Sequence, residues 1–102
     1  MKYRIPAPKK IQVGAKTYKV KIVDDLARFE GSRGDVCHNR LEIKIEKRMI
    51  PSEKETTFWH EVMHSIDQVF LAHSVDEKSI DALANGLHQV LQGMGIEIDW
   101  EK

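Results

Sequence analysis

Apolar and polar residues alternate over residues 10–13 and again over 17–23, placing Ile11, Val13, Tyr18, Val20 and Ile22 on one side. A period of two is that of a half-buried strand, and Gly14-Ala15 between the two runs predicts a hairpin. The run Leu41-Glu42-Ile43-Lys44-Ile45-Glu46 alternates most strictly and predicts a strand with Leu41, Ile43 and Ile45 inward. Gly31-Ser32-Arg33-Gly34 reads as a loop, and residues 24–30 fit a short helix or a turn equally.

The period then lengthens. Pro51-Ser52-Glu53-Lys54-Glu55 opens a helix, with Ser52 and Glu55 spaced as a capping box. Trp59, Val62, Met63, Ile66, Val69 and Phe70 mark its core side, and the pattern spans about residues 52–72. A second helix, about 74–92, carries Ile80, Leu83, Leu87, Val90 and Leu91 and stops at Gly93-Met94-Gly95. Residues 96–100 alternate again, as a strand does. Strands followed by helices predict an α+β domain: an N-terminal antiparallel or mixed sheet of three to four strands under two core helices.

At 102 residues the chain is expected to form one domain, residues 1–102, with a single core. Its 41% hydrophobic and 31% charged content is that of a globular protein. Sixteen basic residues balance sixteen acidic ones, so no net field directs it to nucleic acid or an anionic membrane. The lysines clustered before residue 22 fit the solvent face of strands. The sequence contains neither an apolar run of membrane-spanning length nor the apolar stretch of a signal peptide, so a cytoplasmic location is expected. Cys37 is the lone cysteine, which permits no internal disulfide and fits a reducing compartment.

The candidate chemistry lies in the first helix, at His60-Glu61-Val62-Met63-His64. Residues four apart on a helix lie one above the other, so both imidazoles can reach one Zn²⁺. Glu61, turned about 100° from His60, stands beside such an ion. A carboxylate there can take a proton from a water attacking a carbonyl. The pattern arises by chance in roughly two shuffled chains of this composition per hundred. Uncharged neighbours such as Phe58, Trp59, Val62 and Ile66 fit a helix packed beneath a metal better than one with two solvent-facing histidines.

A catalytic zinc site keeps three protein ligands and a water. A third histidine six residues after His64 is excluded, because that position is Phe70. Glu77 is the best candidate, with Asp76 and His73 as alternatives. Glu77 also completes a capping box with Ser74, a role that needs no metal. Asp81, four residues on, either accepts the free ring N–H of a ligand histidine or is an exposed helix acid. His88 lies at nearly the azimuth of Glu77 but roughly 16 Å along the axis, which suits a partly buried structural role better than contact with substrate. His38 carries no assignment.

His60-Glu61-x-x-His64 with Glu77-Lys78-Ser79-Ile80-Asp81 resembles the gluzincin zinc metallopeptidases. The small size resembles the minigluzincins, and the pattern of the second helix is similar to that of the ImmA/IrrE-like peptidases. The resemblance covers about residues 33–91. It implies a zincin-like fold, one catalytic Zn²⁺ held by His60, His64 and Glu77, Glu61 as general base and acid, and support from Asp81. It further implies a peptide or protein substrate held along an edge strand at Leu41 to Glu46. The interval between His64 and Glu77 is shorter than in the large gluzincins, and no residue matches their oxyanion-stabilising tyrosine or histidine.

The expected function is therefore zinc-dependent peptide-bond hydrolysis, without nucleic-acid or membrane partners. The alternative is a regulatory or interaction domain that keeps the metal and cleaves nothing. A purely structural zinc domain would have no use for Glu61. Two readings stand for the tail: a strand across the cleft, with Glu97 or Asp99 near the metal and the enzyme latent, or a strand docked elsewhere with Trp100 on the core.

Overall fold

In the computed structural model, which describes residues 3–24, 26 and 33–100, the period-two runs are strands and the longer-period runs are helices. Strands β2 (Lys10–Val13) and β3 (Lys16–Val23) form the expected antiparallel hairpin. Its two-residue turn has Gly14 at φ +62°, a conformation that a side chain disfavours. Strand β5 (Glu42–Glu46) pairs in parallel with β3 and antiparallel with β4 (Gly34–Cys37), giving a mixed four-stranded sheet in the order β2-β3-β5-β4. The fold is α+β, as the patterning predicts.

The alternation decides which face is buried. Val13, Tyr18, Ile43 and Ile45 are enclosed beneath helix α1 (Pro51–Phe70), where Phe58 and Val62 meet them. Burial of side chains this size stabilises by ~1.5–3 kcal/mol each. Lys10, Lys19 and Lys21 occupy the opposite, exposed positions, so the basic stretch is a solvent face. Cys37 is a free, half-buried thiol.

The tail is strand β6 (Ile96–Asp99), which pairs in parallel with β1 (Tyr3–Pro6) in a separate two-stranded ribbon. Ile98 and Trp100 join the core, and the Trp100 ring meets Phe58 edge-on at 5.7 Å. The tail is thus docked and does not cross the cleft. Glu97 and Asp99 face Arg4, at 3.2 and 3.7 Å, rather than the histidines.

Both capping boxes fail. Helix α1 begins from Ile50 with Pro51 in its first turn, and no side chain caps it. Glu55 turns inward to other partners. Helix α2 (Glu77–Gly93) begins three residues later than expected because Asp67, 1% exposed, captures the preceding backbone. Its Oδ1 accepts the N–H groups of Ser74 and Val75, which belong to the turn between the helices. Ala72 and His73 hold positive φ in the same turn, and the chain reverses there. The apolar faces also need correcting. Ile22, Phe70, Leu83 and Val90 are 40%, 63%, 56% and 59% exposed, and α2 buries Ile80, as expected, together with Ala84. The alternative of a helix or turn over residues 24–30 lies mostly outside the described residues. Among those described, no helix is long and apolar enough to cross a membrane.

Candidate metal centre

Helix α1 brings His60 and His64 onto one face, with their Nε2 atoms 3.1 Å apart. The turn organised by Asp67 folds α2 back antiparallel, and the first residue of α2 meets them. Glu77 Oε1 lies 2.7 Å from His60 Nε2 and Oε2 lies 2.9 Å from His64 Nε2. Donors on one face of a zinc tetrahedron stand about 3.3 Å apart for bonds near 2.05 Å. Two imidazole nitrogens and a carboxylate so close together fit such an ion with little adjustment, and their ligand atoms all lie within 4.8 Å of one another. The position of Glu77 excludes its capping role.

Asp81, one turn along α2, places Oδ1 3.4 Å from His60 Nδ1. That nitrogen is on the far side of the ring from Glu77, so Asp81 can hold the tautomer that leaves Nε2 free to ligate. The two other candidates for third ligand stand apart from this cluster. Asp76 occupies the N-cap position of α2 without a side-chain capping bond, and His73, in the interhelical turn, has Nδ1 3.7 Å from Asp67 Oδ2.

Glu61 is 5% exposed, with Oε1 4.0 Å from His60 Nε2 and Oε2 without a hydrogen-bond partner. Burial, and then the charges of Asp35 and Glu77, push its carboxyl up to about 8. Burial also lowers the His64 pKa, against the opposing pull of Glu77, which favours the neutral ring that a metal requires. Both shifts suit a site built to receive a cation.

The site floors a cleft of about 640 Å³. One wall is the N-terminal half of α2, including Asn85; the other is β4. Gly34 explains the closeness of β4: a methyl group there would overlap the Thr57 side chain and come within 3.4 Å of Glu61 Cγ. Among the described residues β4 pairs on one side only, so its other edge is free beside the cleft. Strand β5, containing Glu42 to Glu46, is interior with both edges paired. The expectation that Leu41 to Glu46 is an edge strand is therefore corrected: the edge strand beside the cleft is β4, residues 34–37. Strict alternation reveals burial but not a strand's place in the sheet order, and β4 is too short to alternate visibly.

The partners in two polar clusters on α1 escaped the sequence reading, which had given His88 a partly buried structural role. The enclosed Tyr18 hydroxyl is 3.1 Å from His38 Nδ1 and also bonds Ser65, whose Oγ donates to the Glu61 carbonyl. His38 is thus tied into the support of α1 and does not line the cleft. His88 lies in a buried contact with Glu55 Oε2, at 3.1 Å, away from the histidine pair. The fit of donors at His60, His64 and Glu77 is a property of this chain's own geometry. Comparison with protein-family models, with curated proteins and with solved structures gave no match.

Proposed function

We propose that the chain is a small zinc-dependent peptidase. The observation that carries this reading is the placement of Glu61, a buried carboxylate with one oxygen unpartnered, beside two histidines joined by Glu77 from a second helix. A structural metal site needs the ligands but gives no reason to bury a further acid next to them. Zn²⁺ held by His60, His64 and Glu77 would supply a Lewis acid for water and for the scissile carbonyl. Glu61 accepts the water's proton and delivers it to the leaving nitrogen. A cation held there would counter the burial that raises Glu61, making the carboxylate form available at neutral pH. Asp81 holds the His60 ring in register. An extended peptide adds to the free edge of β4, with main-chain hydrogen bonds for affinity and alternate side chains directed to the cleft.

Zinc content per chain, followed by cleavage of an unfolded protein by wild type and Glu61→Gln, tests the proposal. One zinc in both proteins, with hydrolysis lost by a factor of ~10² or more in the variant, is the expected result. Stoichiometric zinc with equal inactivity would favour a non-catalytic regulatory domain on the same scaffold. No zinc in the wild type would sink the metal reading.

A further inference from the structure

Helix α2 carries Glu77 and Asp81, yet it buries only Ile80 and Ala84 against the rest of the described structure, with Leu87 and Leu91 half-buried. Alanine presents a nearly flat surface and offers little resistance to sliding along α1. Beyond the turn that Asp67 anchors and these apolar contacts, the helix meets α1 at two polar points. At the near end Glu77 and Asp81 meet His60 and His64. Eleven residues on, roughly 16 Å along the axis and within about 20° of the same azimuth, His88 meets α1 again.

This second contact is built to saturation. His88 Nε2 lies 3.1 Å from Glu55 Oε2, and Nδ1 lies 2.7 Å from Thr56 Oγ1. The Thr56 hydroxyl also lies 3.0 Å from the Ser52 carbonyl, so it links the His88 ring to the first turn of α1. A carboxylate only accepts, so Nε2–H donates to Glu55. The other Glu55 oxygen accepts the Ile98 N–H at 2.7 Å, which fixes the acid from β6. Arg4 and Glu97 line the adjoining recess from β1 and β6. Glu55 is 4% exposed, and a charge-assisted bond there is stronger and more directional than a surface pair.

We propose that His88, clamped between Glu55 and Thr56, is a positioning residue that fixes where α2 lies along α1 and so holds Glu77 within reach of His60 and His64. The inference rests on the metal reading of that site. A slip of one helical turn moves Glu77 by about 5.4 Å, which removes it from both histidines. The contacts run as an antiparallel ladder: Glu77 against His64 and His60, Asp81 against His60, His88 against Thr56 and Glu55. Ile80 and Ala84 form the apolar rungs between the polar ends.

The test is zinc affinity, measured by competition with a chromogenic chelator, alongside thermal unfolding of the zinc-free chain. His88→Ala is expected to weaken zinc binding at least tenfold. His88→Gln, whose amide can still donate to Glu55, is expected to recover most of that loss. Glu55→Gln, which keeps the shape but removes the charge and leaves a single acceptor oxygen for two donors, His88 Nε2–H and Ile98 N–H, provides a second variant if His88→Ala does not fold, with the same direction of effect. Val13→Ala serves as control: it lowers stability in the hairpin core, remote from α2, and is expected to stay within twofold of wild-type affinity. Wild-type affinity in His88→Ala or, where that variant does not fold, in Glu55→Gln would overturn the proposal. So would an equal loss in Val13→Ala at matched stability. A wild type without zinc overturns the metal reading and the positioning role together, whereas normal wild-type binding with unaffected variants overturns the positioning role alone.

Discussion

Helix α1 buries four polar residues, Glu55, Glu61, Ser65 and Asp67, and for three of them the burial is matched by partners. Glu55 bonds Ile98 and His88, Ser65 bonds the Glu61 carbonyl, and Asp67 gathers the interhelical turn. Glu61 Oε2 has no hydrogen-bond partner, a lack that Asp67 Oδ2 shares, but only Glu61 makes no side-chain hydrogen bond to offset its burial, and its carboxyl is pushed up to about 8. Between pH 4.5 and about 8 the folded chain keeps a proton that the unfolded chain has released. Stability of the zinc-free protein from this group therefore falls as pH rises through that window, with a slope approaching ~1.4 kcal/mol per pH unit. Glu61→Gln removes the slope. Chemical denaturation in a chelator at pH 5 and pH 8 should find wild type and variant similar at the lower pH and the variant more stable at the higher, by ~1–4 kcal/mol. Parallel pH profiles would show that Glu61 ionises normally. Asp67→Ala should do the opposite of a functional exchange, costing ~2–4 kcal/mol by orphaning the Ser74 and Val75 N–H groups, and weakening zinc binding because α2 loses its anchor. A denaturation midpoint unchanged from wild type would contradict that role.

Elements set the site through two close approaches. The first is β4 on α1, and it depends on Gly34. Gly34→Ala places a methyl group against Thr57 and Glu61 Cγ, so β4 must move outward; overpacking of this kind costs ~1–3 kcal/mol. The expected outcome is a lower melting temperature and a larger loss of peptide cleavage than of zinc binding, because the ligands reside on the helices. Equal activity in Gly34→Ala and wild type would remove β4 from the cleft wall. The second approach is α2 on α1. The histidine pair was legible because four-residue spacing on one helix fixes its geometry locally, whereas the rank of Glu77 over Asp76 and His73 depended on where the chain turned. Asp67 decides that turn, and its role was hidden because a lone acid in a helix pattern reads as a solvated face. Ser52-Glu55 and Ser74-Glu77 carried the spacing of capping boxes, yet both glutamates found partners distant in sequence that outcompete a local backbone N–H.

At the scale of the whole molecule, the tail closes the core. Ile98 and Trp100 are buried with Phe58, and β6 gives up its Ile98 N–H to Glu55. Truncation after Gly95 should therefore destabilise the fold by at least ~3 kcal/mol, from two large buried side chains and the bond to Glu55, and should not raise activity. Increased cleavage by a folded truncated chain would restore the tail as a latency element. The sequence by itself determined the α+β class, the β2-β3 hairpin, the inward placing of Val13, Tyr18, Ile43 and Ile45, though not of Ile22, which is exposed, and the pairing of His60 with His64, because hydrophobic period and helical spacing act within a few residues. Tertiary structure alone decided the sheet order that makes β4 the edge, the docking of the tail on β1 and the burial of Glu55 against His88. It also decided which acid reaches the histidines. These depend on contacts between residues far apart in sequence, 13 positions for His64 and Glu77, 43 for Glu55 and Ile98 and 93 for Tyr3 and Ile96, whose energies outweigh the local preferences that the same residues display in isolation.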